Sequence, residues 1–197
     1  MTAEARREQI LDIAHAIVTA ESFHAATPNR IAEEAGINRS LLYQQFGDLG
    51  GLFVALIDRE GGRAAAQFAE AVATSGDTDD HPALRAFDSV LTAIDEHPAT
   101  WRLFLFPPQG APPELYARLA RSQAVVREYL AAQMRRADPD LADPEYTARV
   151  LNAAARELLQ LRLTDPESAT RERLRAMMRR LGSGLLSTRP VGAPAPN

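Results

Sequence analysis

The 197-residue chain contains no cysteine and no lysine. Without cysteine there is no disulfide and no thiolate metal site, which agrees with a reducing compartment. All 22 basic residues are arginine, a pattern we read as coding bias without functional weight. Long apolar runs are also missing. No stretch reaches the roughly 18 residues that a membrane span needs. The opening MTAEARREQILDIAHAIV reads as an amphipathic helix, not a signal peptide. A cytoplasmic protein with no membrane partner is expected.

Catalytic signatures are lacking as well. There is no G-x-x-x-x-G-K, no G-x-S-x-G and no H-E-x-x-H. The four histidines, at 15, 24, 81 and 97, share no ligand spacing. Asp79, Asp80 and His81 are adjacent on a polar loop and cannot converge easily on a metal. Glu33–Glu34 and Asp95–Glu96 point to different sides of a helix, which suits solvated faces better than acid–base work. No enzyme activity, metal or cofactor is expected.

A surplus of positive charge is absent too. The net charge is −4, and residues 1–60 carry five arginines against nine carboxylates. That balance predicts modest non-specific affinity for nucleic acid and a shallow salt dependence. Yet no acid lies between Ile37 and Gly47, and the local field matters more than the sum.

This acid-free window sits inside the most structured stretch of the sequence, Thr27 to Phe53. Thr27 suits an N-cap and Pro28 the first helical position. Ile31, Ala32 and Ala35 share one apolar face, and Gly36 ends that helix. Asn38 or Ser40 caps a second short helix with Ile37, Leu42 and Phe46 inward. Asn38, Arg39, Ser40, Tyr43 and Gln44 are left outward. Arginine binds guanine bidentately, amides bind adenine likewise, and hydroxyl and phenol groups suit phosphates. An αα-hairpin packed in a helical domain accounts for the same pattern by geometry alone.

The detailed motif, I-A-x-x-A-G-I followed by L-Y-x-x-F, resembles the DNA-binding domain of the TetR family of bacterial transcriptional regulators. Arg7, Ile10, Leu11 and Ala14 match the family's R-x-x-I-L-x-x-A opening, and Phe23 the aromatic after it. The motif resemblance covers residues 6 to 53; beyond residue 60 only length and helical pattern are similar. It implies an all-α fold with an N-terminal three-helix DNA-binding domain (1–47) and a larger helical effector and dimerisation domain (48–186). A connecting helix over 48–74 links them, and a tail over 187–197 is expected to be disordered. The function implied is a homodimeric, ligand-responsive regulator, most often a repressor released from palindromic double-stranded operator DNA by a small effector.

The residues that the resemblance places at DNA are Thr27, Asn29, Asn38, Arg39, Ser40, Leu41, Tyr43, Gln44 and Gln45. There are departures. Leu49 stands where the family often has a phosphate-binding lysine, Ser40 replaces a frequent glycine, and Gln45 stands where histidine or tyrosine is common. Asp48 looks like the N-cap of the next helix, whose N-terminus still offers backbone N–H groups to a phosphate. These changes and the acidic balance keep a second reading open: a helical small-molecule-binding or scaffolding protein that has lost DNA binding.

Further along, Gly61–Gly62 is expected to interrupt helix four, either for close packing against a neighbour or as a hinge. Helices are expected from Pro82 to His97, over 114–137, over 145–163 and over 167–186, with PPQGAPP (107–113) as a break. Phe87, Trp101, Phe104 and Tyr116, with Phe106 and Tyr129, suit a cavity for an apolar or aromatic effector, oriented by Gln123, Arg127, Asn152 and His97. Leu158, Leu159, Leu174, Met178, Leu181 and Leu185 are the apolar surplus expected at a four-helix dimer interface.

Overall fold

The computed structural model describes residues 2–74, 82–106 and 113–186. The Asp79–His81 loop, most of the proline-rich break and the C-terminal tail lie outside the described residues. Within them every regular element is a helix. In chain order these are α1 (Ala3–Ala20), α2 (Pro28–Glu34), α3 (Arg39–Phe46), α4 (Leu49–Thr74), α5 (Pro82–Glu96), α6 (Pro98–Leu105), α7 (Pro113–Ala137), α8 (Pro144–Thr164) and α9 (Arg171–Leu186). None is long and apolar enough to cross a membrane. The chain forms two compact units, Met1–Glu70 with Ala93–Ser122, and Ala71–Thr92 with Gln123–Asn197.

The first unit is built on α1. Its 3.6-residue periodicity buries Ile10, Leu11, Ala14, Ile17 and Val18 on one side. They join Phe23, Ile31, Leu42, Leu52, Phe53, Leu56 and Leu103 in one cluster. Each such side chain contributes roughly 1.5–3 kcal/mol by leaving water. The rings of Phe23 and Phe53 meet edge to face, 4.9 Å apart, and pin the linker after α1 to α4.

Caps define the short helices. The Thr27 hydroxyl accepts the Arg30 N–H and the Asn38 side chain accepts the Leu41 N–H, so Asn38 and not Ser40 starts α3. Gly36, at φ 62°, makes the left-handed turn between α2 and α3. Asp48 caps α4, its Oδ1 accepting the Gly51 N–H at 2.7 Å. Gly51 is required there for space: a Cβ would overlap the Phe46 carbonyl oxygen.

Helix α4 runs unbroken through Gly61 and Gly62, contrary to the expected interruption. Close packing does not explain the pair either. A Cβ on Gly61 would make ordinary contact with Phe104 at 3.8 Å, and one on Gly62 would meet open space. Intrahelical hydrogen bonding carries the helix across both residues despite their low propensity.

One position of α4 is unusual. Glu60 is fully buried. Its Oε2 accepts the Thr100 hydroxyl at 2.7 Å, and its Oε1 accepts Arg59 Nε at 3.0 Å and Arg63 Nη1 at 2.8 Å. His15 Nδ1 of α1 stands 3.8 Å away, while His15 Nε2 lies 3.3 Å from the Ala99 carbonyl of α6. Arg59 also donates to Glu8 and Asp12 of α1 at 3.1 and 2.8 Å. One carboxylate thus ties α1, α4 and α6 together.

The second unit buries Phe87 and Leu91 of α5, Ala131 and Met134 of α7, and Leu151, Leu159, Leu163, Leu174 and Met178 of α8 and α9. Helices α8 and α9 pack on each other. Arg171 donates to Thr92 at 2.7 Å and Arg175 pairs with Asp88 at 2.8 Å, joining α9 to α5. Helix α9 starts at Arg171 rather than near 167. Residues 165–170 are held instead as a turn, with Asp165 accepting the Ser168 and Ala169 N–H groups and Thr170 capping Arg173.

Burial pushes the Glu60 carboxyl up, but the Thr100 hydrogen bond and the charges of His15, Arg63 and Arg59 outweigh it and hold the group below its ordinary 4.5. A depressed folded-state pKa stabilises the fold above the unfolded value, and that stability is lost as pH falls through the folded one. Glu60→Gln should therefore flatten the acid limb of stability as pH falls below 4.5, read as urea midpoints against pH. Glu60→Leu, which leaves Arg59 only Glu8 and Asp12 and strands the buried Thr100 hydroxyl, should cost about 1–3 kcal/mol at neutral pH. An acid limb identical to wild type in Glu60→Gln would show that other carboxylates govern it.

Candidate nucleic-acid interface

Helices α2 and α3 form a helix–turn–helix on the first unit. Its outer surface collects the polar residues singled out above. Asn29, Asn38, Arg39, Ser40 and Gln44 are exposed. Thr27 and Asn38 are exposed too, but their side-chain oxygens are engaged as caps. Leu41, Tyr43 and Gln45 are half-buried rather than outward. Tyr43 is a correction in particular: it packs against the core cluster and is only partly exposed.

The Tyr43 hydroxyl is already partnered. Arg39 Nη2 donates to Tyr43 Oη at 2.8 Å, with the guanidinium carbon 5.6 Å from the ring centroid. The other arginines of this region are committed differently. Arg30 pairs with Glu21 at 2.6 Å and Glu34 at 2.9 Å. Its hydrogen bond holds Glu21 below the usual carboxylate range, and the two carboxylates raise Arg30 further. Arg59 belongs to the Glu60 network. Arg39 is held by a neutral hydroxyl, so its charge is not cancelled by a nearby acid.

Position 49 answers differently from the family pattern. Leu49 packs against the core cluster. The Asp48 carboxylate takes the Gly51 N–H at the start of α4. A phosphate approaching there meets a carboxylate, and one of the backbone donors expected to receive it is occupied.

The far end of α3 is fastened by a residue whose role the motif alone did not disclose. Arg7 of α1 donates through Nη1 to the Gln45 carbonyl at 2.8 Å and lies over the Phe46 ring at 4.3 Å. It satisfies a carbonyl at the helix C-terminus, where positive charge also opposes the helix dipole. Gly47, at φ 80°, then closes α3 by donating to the Tyr43 carbonyl.

The residues expected around an effector are not gathered into one described cavity. Phe87 is buried in the second unit. In the first unit, Phe104 packs against the core cluster, and Trp101 is half-buried and donates through Nε1 to Gln67 at 3.1 Å. Tyr116, Tyr129 and His97 are exposed. Asn152 donates to Gln123 at 3.4 Å, so those two polar residues do meet. A cavity of about 190 Å³ in the second unit is lined by Arg127, Glu128, Ala131, Arg135, Glu145 and Arg149. Of the expected effector residues it holds only Arg127, and its lining is charged rather than aromatic.

The expected dimer residues divide. Leu159, Leu174 and Met178 are buried within the second unit, where α8 and α9 pack on each other, and so are not on the surface that a partner would meet. Leu158 and Leu181 are half-buried and Leu185 is exposed. Leu161 and Met177, which belong to the same apolar surplus, are exposed as well, and so is Val150, which sequence reasoning did not single out. Periodicity identified both helices as too apolar for one stripe, but not which stripe faces inward.

Comparison with known proteins matches residues 10–56 to "Bacterial regulatory proteins, tetR family" and residues 80–186 to "Tetracyclin repressor-like, C-terminal domain". No curated protein matches the chain in sequence. Among solved structures, a TetR-like transcriptional regulator from Rhodococcus sp. RHA1 is similar at 25% identity, with TM-score 0.71 over 93% of this chain and 99% of that one. A SmeT–triclosan complex aligns at 20% identity and TM-score 0.71, covering 98% and 99% of the two chains. A TetR family regulator from Agrobacterium tumefaciens aligns at 14% identity and TM-score 0.70, covering 91% and 98%.

Removing the α1 clamp should loosen α3 without unfolding the unit. Arg7→Ala deletes a charged hydrogen bond of about 1.5–3 kcal/mol. The expected result is faster amide hydrogen exchange in α3, while α1 amides facing the core keep their protection. Uniform loss of protection across both helices would instead make Arg7 a general stability residue.

Proposed function

The chain belongs to the TetR family of bacterial regulatory proteins and is a DNA-binding transcriptional regulator; from that premise we propose that it is a homodimeric, cytoplasmic repressor that a small apolar or aromatic effector releases from a palindromic operator. The operator-reading part is residues 1–47, and α4 connects it to the effector and dimerisation part. The observation that carries the reading is the outer face of α3. Between Ile37 and Gly47 it has no acid, it exposes Arg39, Ser40 and Gln44, and it is fastened by caps at one end and Arg7 at the other. A rigid, polar, acid-free helix of this length fits the major groove. The bound triclosan of the similar SmeT structure supports the effector class.

Selection of binding sites from random duplex DNA with the purified protein tests the reading. Enrichment of one sequence with two-fold symmetry is expected, since an isologous dimer presents two copies of α3. If no sequence is enriched above the starting pool, the chain is not an operator-reading regulator.

For the dimer, the proposed interface is an apolar stripe of α8 and α9: the exposed Val150 and Leu161 on one, and the exposed Met177 and Leu185 with the half-buried Leu181 on the other. The last three recur every four residues along one face of α9. Paired across a two-fold axis, the two helices would give a four-helix interface. Leu161→Glu combined with Met177→Glu should yield folded monomers with operator affinity lower by about 100-fold, because the second half-site no longer binds intramolecularly. Sedimentation velocity checks this; wild-type protein that sediments as a monomer at micromolar concentration would refute the arrangement.

A further inference from the structure

We propose that Tyr43 is a specificity-determining residue that acts through Arg39, presetting the guanidinium for base reading, in addition to any phosphate contact of its own. The proposal rests on the operator-binding reading above.

Three observations converge. The Tyr43 ring is half-buried and packed against the first unit's core, so its hydroxyl oxygen is a fixed point on the surface of α3. Arg39, one turn earlier on the same face, is exposed, and among the described residues no carboxylate pairs with it. Its Nη2 donates to that hydroxyl at 2.8 Å, and the guanidinium lies beside the ring, 5.6 Å from its centroid. A free arginine side chain samples many rotamers, and fixing one of them costs entropy. Holding it before binding lowers the ordering cost that a specific contact would otherwise incur.

The hydrogen-bond inventory of the pair is consistent with reading a base while locked. Guanidinium has five N–H donors in a planar fork. One Nη2 hydrogen goes to Tyr43, which leaves a complete two-donor edge for an acceptor pair such as guanine O6 and N7. The tyrosine oxygen accepts from Arg39, so its own hydrogen remains to donate to a phosphate oxygen. The phenol therefore bridges the positioning contact and the reading contact, and its loss moves both.

Tyr43→Phe keeps the packed ring and removes only the oxygen. The probes are the duplex that the wild-type protein selects from random DNA and its single-base-pair variants. Wild type should discriminate against substitution at the pair read by Arg39 by about 5- to 150-fold. Arg39→Ala should abolish that discrimination. Tyr43→Phe should cut it severalfold at that pair while leaving discrimination elsewhere unchanged, and the double variant should match Arg39→Ala there. A loss in Tyr43→Phe that is equal on every duplex, and additive with Arg39→Ala, overturns the proposal. A second measurement needs no DNA: the NMR order parameter of the Arg39 guanidinium should fall in Tyr43→Phe while the thermal midpoint stays put. An unchanged order parameter means there is no lock, and the proposal fails even if operator binding stands. If wild type enriches no duplex, the operator reading falls and takes the specificity role with it, whatever the order parameter shows.

Discussion

A single carboxylate with no access to water holds the first unit in register. Glu60 sits on α4 with α1 on one side and α6 on another, and it is satisfied by a hydroxyl, two guanidiniums and a nearby imidazole. Burying such a group is expensive unless every partner is in place. The network therefore tolerates little relative movement of the three helices. The apolar cluster around Ile10, Leu42 and Leu56 supplies bulk stabilisation but little directional information. The polar network supplies direction, and α3 inherits it, because Arg7 on α1 and the close passage of Gly51 on α4 are what locate α3.

The same economy explains how an acidic chain presents a face for a polyanion. Of the nine carboxylates in residues 1–60, six are spent on arginines: Glu21 and Glu34 on Arg30, Glu8, Asp12 and Glu60 on Arg59, and Asp58 on Arg118. Charges neutralised in pairs contribute little field beyond a Debye length of about 8 Å. The surface left around α3 is polar and carries one guanidinium held by a phenol. Affinity from bulk electrostatics is then small, and recognition rests on directed contacts at base edges.

Much of the fold was legible from residues whose chemistry is local. Caps at Thr27 and Asp48, the left-handed Gly36 and the prolines that open α2 and α5 mark boundaries by themselves, and the structure places them where the sequence analysis does. The helix–turn–helix surface was readable for the same reason, apart from Tyr43. Its phenol is amphipathic, and periodicity alone does not say that the side chain packs partly against the core. Properties set by partners distant in sequence were not legible. Leu159, Leu174 and Met178 look no different from Leu161 and Met177 until α8 and α9 are packed together. Arg7 announced itself as part of a motif, but its hold on the Gln45 carbonyl spans 38 residues. Trp101 and Phe104 read as a ligand wall, yet their described partners are Gln67 and the core cluster.

The unbroken passage of α4 through Gly61 and Gly62 bears on how the longest helix holds together. Neither glycine is needed for space or for an unusual backbone angle, so together they forgo about 2 kcal/mol of helix stability relative to alanine. They follow directly after Glu60, the residue whose partners hold α4 most tightly. The hold on the helix does not stop there, because Arg63 reaches back across the pair to Glu60 and Gln67 takes the Trp101 indole N–H one turn further on. Side-chain contacts on either side of the two glycines thus carry α4 through its intrinsically weakest step.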